Sequence, residues 1–193
     1  MTRQQMTRRH QVTRQEIMPH QIKHSMTIRK SVRILLFGPD RTLLLMKVHD
    51  NNVTDPANNL SAPFWVTIGG KIEDGEDLVT AAKREALEET GLDNISFGDV
   101  IWHGQQVLHD RGEPKIYDET FITAYCHDRR IAPQNLSPEE KSAILDYRWW
   151  PISEIEQSTE RILPAILTEL IGPVANGILP QTVIKIDLGP SKR

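Results

Sequence analysis

Residues 69–92 read GGKIEDGEDLVTAAKREALEETGL, and they hold the clearest structural signal in the 193-residue chain. From Asp77 to Thr90 the sequence has alanine and leucine at short intervals and neither glycine nor proline. Alanine is the strongest helix former, and a glycine directly after such a run is a common helix stop. The stretch therefore predicts a helix from Asp77 to Thr90 that ends at Gly91, preceded by a tight turn at its first two glycines.

Three glutamates, Glu85, Glu88 and Glu89, share one flank of this helix, because residues three and four apart are neighbours on a helix surface. Like charges at that spacing repel one another and raise carboxylate pKa values, so the arrangement makes best sense beneath a divalent cation. An all-oxygen ligand set suits Mg²⁺ or Mn²⁺. The alternative is a solvated acidic face that Lys83 and Arg84 partly neutralise.

The wider frame is Gly70-x5-Glu76-x7-Arg84-Glu85-Ala86-x-Glu88-Glu89-x-Gly91-Leu92. Here the sequence resembles the Nudix hydrolase family, whose box has glycines and charged residues at these same positions. The sequence differs from the box at Ala86, where the family has a larger aliphatic residue. Upstream of the box, Ile68 stands where many members have proline. With the later stretch Arg148-Trp149-Trp150-Pro151, the resemblance covers about residues 30–170. It implies an α/β fold, a Nudix-type α/β/α sandwich with a mixed sheet.

The resemblance also implies a metal site. Carried over position by position, Glu85, Glu88 and Glu89 become ligands of Mg²⁺, with Mn²⁺ as an alternative ion. The backbone carbonyl of Gly69, just before the box, becomes a further ligand. The helical spacing of the three glutamates independently permits this arrangement.

Two residues are expected to contact substrate. Arg84 either pairs with Glu76, fixing the loop against the helix, or reaches a substrate phosphate, since a planar guanidinium suits both partners. Trp65, or its neighbour Phe64, could stack on a nucleobase, although aromatic residues in strands more often belong to the core.

The implied reaction is attack by water on a phosphorus of a diphosphate bridge. A carboxylate must take the proton of that water, and family members use either a box glutamate or an acid from a later loop. The candidates are Glu88 first and Glu85 within the box, Glu139 and Glu140 in the loop, and Glu119 and Asp118 behind them. The loop stretch Ser137-Pro138-Glu139-Glu140 equally resembles the start of a helix.

The function implied is a pyrophosphohydrolase that cleaves a phosphoanhydride bond in a nucleoside diphosphate linked to another moiety. A catalytically silent nucleotide-binding or regulatory module is the alternative. An isomerase of isoprenoid diphosphates would need a cysteine, and Cys126 lies in an apolar run that predicts a buried strand position. Among substrates, nucleoside triphosphates, nucleotide sugars and capped RNA ends all stay open.

Hydrophobic periodicity predicts the other elements. Strands are expected at residues 32–37, 43–48, 64–68, 95–108, 119–126 and 147–150, with the first two joined as a hairpin. A polar loop is expected at 133–140 and a short helical turn at 152–155. A final helix is expected at 159–171 despite Pro164, and a loosely defined tail after it.

Charge divides the chain unevenly. Residues 1–30 hold seven Lys and Arg against one acid, whereas the whole chain has a formal net charge of −3. The sequence predicts a flexible basic tail at 1–27, a catalytic domain at 28–172 and an extension at 173–193. The tail could contact an RNA end, although an inert extension is the simpler interpretation.

The composition, 38% hydrophobic and 25% charged, is that of a soluble globular protein. The longest aliphatic runs are only long enough for strands, so no membrane span is expected. The one cysteine cannot form an internal disulfide, and a cytoplasmic location is the default expectation. The expected partners are a small-molecule nucleotide substrate and a second copy of the chain in a homodimer.

Overall fold

A computed structural model of the protein describes residues 26–55 and 62–189. In these ranges the elements are β1 (Thr27–Gly38), β2 (Thr42–Val48), β3 (Val53–Thr54), β4 (Phe64–Thr67), α1 (Leu78–Thr90), β5 (Ser96–Asp110), β6 (Glu113–Tyr125), α2 (Pro138–Ala143), β7 (Ile144–Pro151), α3 (Ile152–Gln157), β8 (Ile162–Leu163), α4 (Leu167–Ala175) and β9 (Ile184–Lys185). The α/β class is confirmed. The flexible tail predicted at 1–27 falls almost entirely outside the described residues.

The strands form one mixed sheet in the order β3-β5-β6-β1-β2-β4-β8, with β7 beside β2 and β9 beside β5. β1 runs parallel to β6 and β4 parallel to β8, whereas β1–β2 and β5–β6 are antiparallel. α1 covers one face through its buried alanines, and α3 and α4 cover the other through buried isoleucines and leucines. The predicted sandwich with a mixed sheet is therefore confirmed. In the described ranges, no helix has both the length and the apolar character needed to cross a membrane.

Helix α1 forms where local signals placed it. The Asp77 side chain accepts hydrogen bonds from the backbone N–H groups of Val79 and Thr80, which caps the amino end. At the other end Gly91 has the left-handed conformation, with φ of 74°, and its N–H donates to the carbonyl of Leu87. The predicted helix is confirmed, with Asp77 as its cap and not its first residue.

A crevice opens where β1 and β2 separate. The two strands pair only next to their turn, at Phe37 with Leu43 and Gly38 with Thr42. Beyond that point β1 stays with β6, while β2 pairs with β4 and β7. Backbone contacts from β1 to the segment after β4 hold the two halves of the sheet together at the base. The hairpin was predicted, but this separation was not.

Three sequence expectations differ from the structure in the carboxyl-terminal half. The long hairpin turns at Arg111–Gly112 alone, so β6 starts at Glu113, well before the predicted residue 119. The polar loop at 133–140 contains the start of α2. The helix predicted at 159–171 is confirmed only from Leu167, where α4 begins, and residues 162–163 instead form β8 against β4. Pro164 explains this, since proline lacks the N–H that a helix interior requires.

The tail predicted to be loosely defined packs against the core near its end. β9 lies parallel to β5 at Trp102 and His103. Beyond it, Ile186 is 7% exposed and Leu188 3% exposed, both within the cluster under α3 and α4. Gly104 permits this approach, because a Cβ there would lie 2.7 Å from Leu188 Cδ2. The separate extension proposed at 173–193 therefore packs against the domain at residues 184–188.

This packing predicts different costs for two substitutions in one segment. Ile186→Ala should lower the free energy of unfolding by about 2–4 kcal/mol, because it leaves a cavity in the core. Ile184→Ala, at a side chain that is 40% exposed, should cost about 1 kcal/mol or less. Denaturant unfolding of both variants measures the difference. Equal, small costs would show that the segment does not pack as described.

Candidate active site

Two of the three helix glutamates are buried against the glycine turn before the helix. The backbone N–H of Gly69 donates to Glu89 Oε2 at 2.6 Å. The carboxylate of Glu85 lies directly against Gly70, where an added Cβ would be 2.5 Å from Glu85 Oε1. Both side chains are nearly inaccessible, whereas Glu88 is 33% exposed. The turn and the helix thus hold two carboxylates out of water.

Burial perturbs both buried carboxyl groups. It raises the pKa of Glu89 to about 8, against the hydrogen bond from Gly69, and the charge of Glu85 adds to the rise. Burial also raises the pKa of Glu85, although the Arg84 guanidinium opposes this. Two desolvated carboxylates that repel each other bind a cation favourably, because the positive ion offsets both the cost of desolvation and the repulsion between the carboxylates.

Arg84 has the geometry of a structural clamp. Its Nε and Nη2 donate to the two carboxylate oxygens of Glu76 at 3.0 and 2.9 Å, and Nη1 donates to Glu85 at 2.8 Å and Glu88 at 3.2 Å. Nη2 also donates to the carbonyl of Lys71 at 2.9 Å. These contacts favour the pairing role over a phosphate contact, because every guanidinium nitrogen already has a protein acceptor.

The crevice between the two halves of the sheet reaches this cluster. It encloses about 230 Å³, and Glu89 and Gly69 form part of its wall. Its apolar lining includes Met46, Phe64, Val66, Leu108, Phe121, Leu163 and Leu188, and its polar lining includes Arg29, Arg33, Gln106, Tyr117, Glu119 and Glu140. A mostly apolar cleft with a few convergent polar groups is typical of a small-molecule site.

An ion pair joins the crevice wall to the glycine turn. Arg33 donates through Nε and Nη2 to Glu119 Oε1 at 2.9 and 2.7 Å. Its Nη1 donates to the carbonyl of Gly69 at 3.2 Å. Although burial alone would lower the pKa of Arg33, the Glu119 charge raises it above its ordinary value. Arg33 therefore fixes the same carbonyl that the sequence offered as a metal ligand.

The other predicted site residues divide between the crevice and its surroundings. Glu140 lines the crevice, and it also completes the predicted helix start, accepting from Ser137 N–H at 2.7 Å while its own N–H donates to Ser137 Oγ. Glu139 is exposed and faces Arg111 at 3.8 Å. Trp65 is 3% exposed in the core against Trp150, so we do not retain it as a substrate contact. Its neighbour Phe64 lines the crevice instead.

The remaining candidates lie elsewhere. Cys126 is buried on the α1 side of the sheet, where burial raises the pKa of its thiol to about 11. Its Sγ donates to the carbonyl of Asp128. Asp118 is hydrogen-bonded to His103. Neither Cys126 nor Asp118 lines the crevice, so the described residues give the isomerase alternative no support.

The donor atoms of the three helix glutamates suit a divalent cation, although their side chains are not yet arranged around one point. Among the described residues, no three His, Cys, Asp or Glu side chains form a group ready to hold a metal ion. However, Glu85, Glu88 and Glu89 offer only oxygen donors, and the two buried ones have raised pKa values that a cation would relieve. The lack of a Cβ at Gly70 leaves room for the Glu85 carboxylate beside the backbone.

Sequence reasoning missed several crevice residues. Arg29, Arg33 and Tyr117 lie outside any motif, and only the pairing of β1 with β6 brings them to one wall. The available signal was the alternation along β1, in which Arg29 and Arg33 are four residues apart and so share one face. That alternation could not be interpreted without knowing the parallel partner strand.

Comparisons with known proteins agree on the family. The model of the NUDIX domain matches residues 27–169. The oxidized purine nucleoside triphosphate hydrolase of Mus musculus is 29% identical over 114 residues, which is 58% of this chain and 65% of that protein. The match thus spans less than two thirds of that relative.

Two solved structures share the fold. The MutT protein from Methanosarcina mazei Go1 is 23% identical with a TM-score of 0.54, covering 75% of this chain and 91% of that one. The E. coli ORF135 protein is 21% identical with a TM-score of 0.53, covering 79% and 94%.

The geometry of the glycine turn predicts different stability costs for two Gly→Ala substitutions. Gly69 has φ of 126°, and a Cβ there would overlap the carbonyl oxygen of Val32. Gly69→Ala should therefore cost about 3 kcal/mol or more of folding free energy. Gly75→Ala is the control, since Gly75 also has positive φ but nothing within 4 Å of its Cβ position, and it should cost about 1 kcal/mol. Denaturant unfolding compares them, and similar costs would contradict the close approach.

The raised pKa of the buried Glu89 predicts that the stability of the protein depends on pH. Because its folded pKa lies above its unfolded value, the folded state binds the extra proton, so stability falls as pH rises from about 4.5 to about 8 and the full penalty applies above that. Glu89→Gln should remove this slope, raising the free energy of unfolding of the metal-free protein at about pH 9 by on the order of 3 kcal/mol, with little change near pH 5.

Unfolding in a chelator at both pH values tests this, with the exposed Glu113→Gln as control. A Glu89→Gln variant that is no more stable than the original protein at the higher pH would show that Glu89 is not a buried, uncompensated carboxyl group.

Proposed function

The chain belongs to the Nudix family, and from that premise we propose that it is a metal-dependent pyrophosphohydrolase. Its proposed substrate is a nucleoside diphosphate linked to another moiety, in which it cleaves the phosphoanhydride bond. The proposal follows from the family box and from the crevice that meets it.

One observation carries the proposal: Glu89 belongs both to the buried carboxylate cluster and to the wall of the apolar crevice. A nucleotide has an apolar, flat base and an anionic diphosphate, and this site offers a matching region for each. Phe64, which lines the crevice and is partly exposed, can contact a base, while the diphosphate would lie near Glu89. Carboxylates on an open surface, with no apolar crevice beside them, would offer no binding region for the base of a nucleotide.

Glu85, Glu88 and Glu89, with the Gly69 carbonyl, are the residues that we propose to hold Mg²⁺ or Mn²⁺. When bound, a divalent cation polarises phosphoryl oxygens and lowers the pKa of an attacking water. Arg84 would keep Glu85 and Glu88 in place, since it donates to both. Arg33 would fix the Gly69 carbonyl through its own hydrogen bond.

Two carboxylates remain candidates for the general base. Glu88, the first choice from the sequence, is partly exposed at 33% and hydrogen-bonded to Arg84. Glu140 lines the crevice and is close enough to Glu89 and Glu85 to raise their pKa values. Glu139 is less suited, because it faces outward toward Arg111. The geometry thus favours Glu88 within the box and Glu140 outside it.

The compounds to be tested as substrates are chosen from the classes that the sequence leaves open. The mouse relative is named for oxidised purine nucleoside triphosphates, and this class joins ordinary nucleoside triphosphates, ADP-ribose, nucleotide sugars, dinucleoside polyphosphates and 5′-triphosphate RNA. The RNA tests the basic tail at 1–27, which lies mostly outside the described residues. Size-exclusion measurement on the same preparation would test the proposed homodimer.

The decisive experiment is hydrolysis of this panel with Mg²⁺ and with Mn²⁺, comparing the original protein with Glu89→Gln. We expect at least one compound to be cleaved at the diphosphate, and Glu89→Gln to lower kcat by about 100-fold or more. Glu113→Gln, at an exposed acid that does not line the crevice, should retain full activity.

Glu140→Gln in the same assay distinguishes the two bases. A large loss in kcat in Glu140→Gln, with metal affinity unchanged, would identify Glu140 as the general base. If the protein binds Mn²⁺ and nucleotide but cleaves nothing in the panel, the proposal fails in favour of the silent binding module.

A further inference from the structure

Arg29 lines the crevice from β1 and has no acidic partner of its own among the described residues. Its guanidinium lies over the ring of Tyr117, 5.2 Å from the centroid, and its Nη1 donates to Ser31 Oγ at 2.5 Å. We propose that Arg29 binds an anionic oxygen of the substrate's diphosphate from the β1 wall of the crevice. The proposal deepens the function proposed above and rests on it for the identity of the ligand.

The contrast with Arg33 supports this role. The two arginines share one face of β1, but Arg33 is neutralised by Glu119 and also donates to the Gly69 carbonyl. Within residues 26–55 and 62–189, the partners of Arg29 are a neutral hydroxyl and an aromatic ring. Burial and the neighbouring Arg33 charge lower the pKa of Arg29, whereas Glu119 raises the pKa of Arg33. Arg29 is therefore a partly desolvated cation that an incoming anion would stabilise.

The position of Arg29 favours a phosphate over a base as its partner. The backbone of β1 at this point is bonded to the start of the box, with Ile72 N–H donating to the carbonyl of Lys30 at 3.0 Å and Val32 N–H donating to that of Gly70 at 2.9 Å. Glu85 is close enough to influence the pKa of Arg29. Arg29 thus lies at the end of the crevice where the carboxylates are, and the diphosphate would lie there too.

The chemistry of the side chain fits the same partner. A guanidinium presents several N–H donors in one plane, which suits two oxygens of a phosphate group, and stacking on a ring fixes that plane. Tyr117 supplies the ring, and Ser31 occupies Nη1 only. Its Nε and Nη2 have no hydrogen-bond acceptor in the described part of the chain, so both are available to a ligand. A lysine at this position would keep the charge but lose the planar arrangement of donors.

Inorganic pyrophosphate is the probe, with binding measured by calorimetry in a chelator so that no metal ion contributes. We expect Arg29→Met to weaken pyrophosphate binding by about 10- to 100-fold, the range for hydrogen bonds to charged groups, and Arg29→Lys to weaken it by less. Lys30→Met is the matched control: it removes the same charge from the next residue, which is exposed, and should change binding less than about twofold.

A thermal unfolding measurement separates binding from structure. Because the Arg29 charge lacks an acidic partner, Arg29→Met should leave the midpoint unchanged or raise it. A lowered midpoint with unchanged pyrophosphate binding would make Arg29 a structural residue and overturn the proposal. Pyrophosphate binding that is undetectable in the original protein would also overturn it. Should Arg29→Met fail to fold, Arg29→Lys decides alone, and binding equal to the original would be the contrary result.

The outcomes distinguish this proposal from the hydrolase proposal. If pyrophosphate binding depends on Arg29 but nothing in the panel is cleaved, the anion site stands and the hydrolase proposal fails. If cleavage depends on Glu89 while both pyrophosphate binding and kcat/KM are unaffected by Arg29→Met, the hydrolase proposal stands and Arg29 has no part in it.

Discussion

The burial of two carboxylates against a glycine turn is the constraint on which the site depends. Glu85 can lie beside the backbone only because Gly70 has no Cβ, and Gly69, where a Cβ would overlap the Val32 carbonyl oxygen, donates its N–H to Glu89. The cost appears as raised pKa values, to about 8 for Glu89. Because α1 is capped at Asp77 and Gly91, and its alanines are buried under the sheet, the helix can keep these groups in place despite their repulsion.

Sequence reasoning succeeded where the determining contacts are local. The cap of α1 and its stop at Gly91 depend on residues within one turn, so the helix could be placed correctly. β8 and β9 form by pairing with β4 and β5, which are distant in sequence, and were missed. The alternation of Ile184, Ile186 and Leu188 was a strand signal, but prolines on either side of it favoured a loop.

The same distinction holds for the site. The glutamates of the box could be named because their spacing alone puts them on one flank, and the position of Glu89 in the crevice wall supports the role proposed for it. Trp65 was a reasonable base contact by residue type, but strand alternation turns it into the core and turns Phe64 toward the crevice. Arg29 could not be identified, because its significance depends on which other charges are already paired.

Glu89 and Arg29 both line the crevice, neither forms an ion pair among the described residues, and their ionised forms have opposite charges. They form no ion pair with each other, and Arg33, which is paired with Glu119, is close enough to lower the pKa of both. A diphosphate bound together with a divalent cation has both signs of charge, so it could compensate Glu89 through the cation and Arg29 through a phosphate oxygen. A site that is electrostatically incomplete at both ends would therefore favour this ligand over a nucleoside, which has neither charge.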